Sequence, residues 1–133
     1  MDTLLSPYFS LRDGGERAFS VEAASVKFGP GVLAEVGADA RALGLKRVAL
    51  FTDPRVRLLP PFENAYASLI AAGLEVVVYD RIVVEPTEGS VGDAAEFARD
   101  AAVDGFVSLG GGSTIDTTKV ANLLSSWPAP LLD

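Results

Sequence analysis

Gly105-Phe106-Val107-Ser108-Leu109-Gly110-Gly111-Gly112-Ser113-Thr114-Ile115-Asp116-Thr117-Thr118-Lys119 reads as a short buried strand, a turn of three consecutive glycines, and a helix opening near Ser113. Such a turn carries no side chains and points backbone N–H groups outward, where the positive end of the helix dipole adds its field. A phosphate is the ligand this arrangement suits best. The same residues also fit a plain strand-to-helix turn, with Ser113 as N-cap and Asp116 as its capping-box partner. A capped helix still offers free N–H groups to an anion, so the two readings coexist. Asp116 opposes a nearby phosphate, and Lys119 is placed at i+3 to neutralise it.

Working outward, the rest of the chain repeats the strand-then-helix rhythm. Val32, Val36, Ala40 and Leu43 mark one face of a helix ending at Gly44. Arg47 to Thr52 is a nearly continuous apolar run, as expected of a strand buried on both faces. A helix follows Pro60-Pro61 with Phe62, Tyr66, Leu69 and Ile70 on one side and stops at Gly73. Glu75 to Tyr79 is the second strand. Val91, Ala94, Ala95 and Ala98 give the next helix, with Ser90 and Asp93 placed as a capping box. Gly105 to Leu109 is the third strand, and Val120, Leu123, Leu124 and Trp127 stripe the last helix.

Strands spaced at about thirty residues are the signature of βαβ units. Right-handed crossovers then predict a Rossmann-like α/β fold, a parallel sheet with helices on both faces. Ahead of it, residues 1–17 read as an N-terminal extension, and Ala18–Phe28 predicts a short edge strand or hairpin. The domain proper runs over residues 18–133.

Composition narrows the function. The 133 residues carry a net charge of −7, which disfavours nucleic acid, and there is no basic stripe to reverse that. With no Cys and no His, thiolate and imidazole metal sites cannot be built from this chain, and the commonest neutral-pH proton shuttle is missing. No apolar run approaches the ~20 residues that span a bilayer. The N-terminal stretch lacks a continuous apolar segment and carries Asp2, Asp13, Glu16 and Glu22. Neither a secretory signal nor an acid-poor transit peptide fits, so a cytoplasmic protein is expected.

In parallel sheets, ligands bind at the carboxyl ends of the strands. Three features fall there. Asp53, after the first strand, can accept hydrogen bonds from ribose hydroxyls and would repel a 2′-phosphate, a preference for NAD over NADP; it also fits a simple Asp-Pro turn. Glu85, in Val84-Glu85-Pro86-Thr87, is held extended by Pro86. That aims it into the crevice, or merely stiffens a loop. The third feature is the Gly110-Gly111-Gly112-Ser113 turn. Their order reverses the usual dinucleotide fingerprint, in which the glycines follow the first strand and the acid comes ~20 residues later.

That reversed order, with Thr52-Asp53, Leu59-Pro60-Pro61, Val84-Glu85-Pro86-Thr87 and Gly110 through Leu123, resembles the N-terminal domain of the iron-containing (group III) alcohol dehydrogenases. Within them it is most similar to the hydroxyacid-oxoacid transhydrogenase branch. The resemblance implies an oxidoreductase with NAD as cofactor. Asp53 would hold the adenosine ribose, and Gly110, Gly111, Gly112 and Ser113 the pyrophosphate. Glu85 falls where many relatives carry Asn beside the nucleotide. In that branch, hydride moves between a hydroxy acid and an oxo acid through bound NAD. The resemblance also implies a divalent metal, Fe or Zn, held by an Asp and three His in a C-terminal helical domain that this sequence lacks. The expectation is therefore the NAD-binding portion of such an enzyme, inactive by itself, with a small hydroxy acid or alcohol as substrate of the complete protein and a homo-oligomer compatible with it. The alternative is a non-catalytic α/β module that binds a nucleotide or a protein.

Overall fold

A computed structural model of the chain describes residues 24–130. Three strands form one parallel sheet: β1 (Arg47–Thr52), β2 (Glu75–Tyr79) and β3 (Gly105–Leu109), in the order β2-β1-β3. All three occupy the predicted residues. Around them lie α1 (Val36–Ala42), preceded by a 3-10 turn at Val32–Glu35, then α2 (Pro60–Ala71), α3 (Glu88–Ala101) and α4 (Gly112–Ser126).

The central strand explains the layering. Side chains alternate along a strand, so Val48 and Leu50 of β1 face α1 and α2 through Ala40, Phe62 and Leu69. Ala49 and Phe51 face α3 and α4 through Ala94, Ala98 and Ala121. Val48 to Phe51 are wholly buried, each large side chain contributing about 1.5–3 kcal/mol by leaving water. Aromatic rings fill the second layer, with Phe51 4.8 Å from Tyr79 and 5.7 Å from Phe106 between centroids.

Several local expectations are corrected. The edge strand expected at Ala18–Phe28 falls partly outside the described residues, and its described part, residues 24–28, lies in no strand. Helix α3 is capped not by Ser90 and Asp93 but by Thr87: the Ser90 N–H donates to Thr87 Oγ1 at 3.1 Å and the Thr87 N–H to Ser90 Oγ at 2.9 Å. Thr87 has the extended backbone an N-cap needs, whereas Ser90 is already one turn inside. Asp93 is thus left for the sheet. It accepts the Tyr79 O–H at 2.7 Å and also the Arg81 guanidinium. The Tyr79 bond, with Arg81 beside it, holds the Asp93 carboxyl below its ordinary value, while burial and that carboxylate push the Tyr79 phenol up to about 12.

Helix α4 buries Thr114, Thr117, Thr118 and Ala121 rather than the expected stripe, leaving Leu123 63% and Trp127 74% exposed. The small and β-branched residues let α4 approach the alanine face of α3 closely, and that contact sets the rotation of the helix. Leu43, the C-cap of α1, is likewise exposed, because α1 meets α2 through Gly37 and Ala40.

Candidate functional site

Two chain segments that are distant in sequence meet at one end of the sheet. Thr52, the last residue of β1, pairs in register with Leu109, the last residue of β3. Asp53 and Gly110 therefore leave from neighbouring strand tips. The chain passes from β1 to α2 on one face and from β3 to α4 on the other. This is the topological switch point at which open α/β sheets bind their ligands. Asp53 and the glycine turn, separated by a whole βαβ unit in the sequence, are brought to one place.

The turn is built differently from the capped version. Gly111, with φ −89° and ψ −164°, is the N-cap, and Gly112 is already helical. Ser113 is thus the second helical residue, half-buried, and Asp116 is exposed rather than a capping partner. No side chain caps α4. The first N–H groups of the helix have no intrahelical acceptor, and they stand at its positive end without one from a cap.

The three glycines have different reasons to be glycine. Gly110 has φ +155°, and a Cβ there would lie 2.5 Å from Thr114 Oγ1, so the fold alone demands it. Gly111 and Gly112 have no such need. Neither has positive φ, and a Cβ on either would meet nothing within 4 Å. Side chains there would occupy open space directly over the helix N-terminus. Neither backbone conformation nor packing in this fold requires glycine at these two positions.

Asp53 forms the turn expected of it. Its Oδ1 accepts the backbone N–H of Arg55 at 2.8 Å and of Val56 at 2.9 Å, an Asx turn that starts the 3-10 segment Val56–Leu58. That tether fixes the carboxylate at the strand tip, and Oδ2 is not drawn into it. Glu85 departs from expectation. Its φ is +57°, in the left-handed region, not the extended backbone that Pro86 should impose. It lies exposed in the loop between β2 and α3, at the same end of the sheet, so its carbonyl and side chain are not aimed as an extended residue would aim them.

The site is an open shelf. A cavity of about 760 Å³ lies instead against α3 and the segment after α4, lined by Gly92, Arg99, Leu124 and Pro128, and neither Asp53 nor the glycine turn borders it. Among the described residues no group of three potential ligands could hold a metal ion, and the chain contains neither His nor Cys. The residues present therefore do not fit the metal that the family resemblance implies. No helix among them is long and apolar enough to cross a membrane.

A parallel α/β sheet with an uncapped, glycine-led helix at its switch point is a Rossmann-like architecture. The particular family follows from comparison: the chain belongs to the iron-containing alcohol dehydrogenases, whose family model matches residues 23–131. It is 46% identical over 111 residues to the mitochondrial hydroxyacid-oxoacid transhydrogenase of Bos taurus, covering 84% of this chain and 24% of that protein. The Homo sapiens protein of the same name is 44% identical over the same share. Among solved structures, an archaeal halo-thermophilic alcohol dehydrogenase from a Red Sea brine pool superposes with a TM-score of 0.76 at 28% identity, covering 86% of this chain and 28% of its own. The NADH-dependent butanol dehydrogenase A of Thermotoga maritima, at 21% identity and a TM-score of 0.80 over 86% of this chain and 29% of its own, shares the fold. The chain spans about a quarter of the length of the curated relatives it matches. These relatives are oxidoreductases by name.

Proposed function

We propose that residues 18–133 form the NAD-binding domain of an oxidoreductase of the hydroxyacid-oxoacid transhydrogenase type. The observation that carries this reading is the pair Gly111 and Gly112, glycines the fold does not require, at the uncapped start of α4. The N–H groups of Gly112 and Ser113 would donate hydrogen bonds to the diphosphate, with the helix dipole behind them. Gly110 shapes the approach, and Asp53 Oδ2 takes the adenosine ribose one strand away. Glu85 would border the nucleotide from the β2 loop, through a backbone whose strain at +57° the surrounding loop must hold. Bound there, NAD would carry the hydride, and this chain's residues would bind and orient it.

The substrate of the complete protein would be a small hydroxy acid or alcohol, as the relatives' names support. No residue of this chain is assigned to proton transfer or to metal binding. The 133-residue chain with NAD, Fe²⁺ or Zn²⁺ and a 2- or 4-hydroxy acid should therefore show no NADH formation by absorbance; turnover would refute that division of labour. The matched relatives are designated mitochondrial, and cell fractionation decides whether this protein shares that location or lies in the cytoplasm. A homo-oligomer remains compatible. The alternative of a non-catalytic protein-binding module draws support from exposed Leu123 and Trp127 on α4.

Calorimetric titration with NAD, NADP and FMN tests the reading: saturable binding of NAD alone supports it, and no binding of any nucleotide overturns it. Asp53→Asn probes the sugar contact. The amide oxygen can still accept from Arg55 and Val56, so the turn survives, but the negative charge is gone. A hydrogen bond to a charged group is worth about 1.5–3 kcal/mol, so NAD should weaken about tenfold or more while NADP improves. Unchanged preference in Asp53→Asn would remove Asp53 from the site.

A further inference from the structure

Thr52 ends β1 wholly buried, in a strand whose other buried side chains, Val48 to Phe51, are all apolar. Its Oγ1 donates to the Leu109 carbonyl at 2.8 Å. Leu109 is its register partner, so this bond closes the last rung before the two strands part toward different faces. Past it, β1 runs into Asp53 and β3 into Gly110.

A run of glycines has no side chains with which to hold a shape, and it loses more conformational freedom on ordering than any other sequence. This turn is held from outside at two points. The Thr114 side chain fills the space in which Gly110 would carry a Cβ. Upstream, Thr52 holds the Leu109 carbonyl and with it the plane of the Leu109–Gly110 peptide.

We infer that Thr52 is a positioning residue for the diphosphate: its hydroxyl sets the Leu109–Gly110 peptide and so aims the Gly112 and Ser113 amides before any ligand arrives. The inference rests on the reading that this turn takes the NAD diphosphate. An anchored turn has its ordering cost met in advance, and the gain appears as affinity. The same bond couples the ribose-binding tip to the phosphate-binding turn, because Asp53 follows Thr52 directly.

The test compares the wild type, Thr52→Val and Thr52→Ser. Valine keeps the shape and removes the hydroxyl, whereas serine keeps the hydroxyl and removes the methyl. Calorimetry with NAD and with ADP-ribose should show affinity about tenfold lower in Thr52→Val and within about twofold of wild type in Thr52→Ser. In unliganded Thr52→Val, the amide resonances of Gly110 to Ser113 should shift and exchange faster, whereas those of α2 stay in place. Wild-type affinity in Thr52→Val overturns the inference and leaves the NAD reading intact. So does a tenfold loss in Thr52→Ser, which folds with the least perturbation and assigns the effect to packing. A wild type that binds neither NAD nor ADP-ribose sinks both readings together.

Discussion

Gly111→Asp should lose NAD binding by a hundredfold or more, about 3 kcal/mol, while the folded protein becomes no less stable. The two effects separate because of where Gly111 sits. It is the N-cap of α4, with an extended backbone at φ −89° that any residue adopts, and its Cβ would enter open space. Aspartate is among the best N-cap residues and replaces glycine there with a gain of a few tenths of a kcal/mol. Its carboxylate would accept the free N–H groups of the first turn. Those are the same donors the diphosphate needs, and the carboxylate adds negative charge beside the anion. Each charge-assisted hydrogen bond lost is worth about 1.5–3 kcal/mol. Thermal melting together with calorimetry reads both quantities on one sample. Retention of NAD affinity within a few-fold of wild type would falsify the assignment of this turn to the diphosphate.

How far such a site can be read from the sequence depends on which interactions fix each part of it. The central strand is legible to the residue, because a strand buried on both faces needs a continuous apolar run, and Val48 to Phe51 is one; β2 and β3, at the sheet edges, are only partly buried and are marked by short apolar runs. Asp53 and the glycines are legible as residue types suited to sugar and phosphate. Strand order is not, since nothing in the chain says that β3 settles beside β1 rather than beyond β2. It is this adjacency that turns two separate features into one shelf. The helix caps are hidden for a related reason. Ser90, Asp93, Ser113 and Asp116 all have capping side chains, but the cap falls where the backbone turns extended, at Thr87 and Gly111. On α4, threonines were not expected to form the buried face. Thr118 hides its hydroxyl by donating to the Thr114 carbonyl at 2.7 Å, so a polar residue serves as a small apolar one. Only the Thr117 hydroxyl is left buried without a partner among the described residues.

The largest effect on stability is expected at Gly37→Ala, far from the shelf. Gly37 is where α1 lies against α2, and a Cβ built there would stand 2.0 Å from the Ser68 carbonyl oxygen and 2.6 Å from its carbon. Both are backbone atoms inside a helix, so no rotamer change relieves the overlap and the helices must separate. Separation also breaks a hydrogen-bond bridge: the Gly37 N–H donates to Ser68 Oγ at 2.9 Å, and Ser68 Oγ donates to the Ala34 carbonyl at 2.7 Å. Alanine gains about 1 kcal/mol over glycine in helix propensity. Against this stand about 1–3 kcal/mol for overpacking and about 1–3 kcal/mol for the Gly37 N–H, the one group of the bridge on a buried residue, left unpaired. The loss wins by about 3 kcal/mol, a large share of the 5–15 kcal/mol typical of a domain. Gly92→Ala is the control: it lies within α3, its Cβ would meet nothing within 4 Å, and only the propensity gain remains. Urea unfolding should therefore move the midpoint down for Gly37→Ala and up for Gly92→Ala. Equal shifts would mean that α1 does not pack on α2 through this contact. Because α1 and α2 together cover the Val48 and Leu50 face of β1, loosening them also frees the strand that carries Thr52 and Asp53, so Gly37→Ala should weaken NAD binding without touching the ligand.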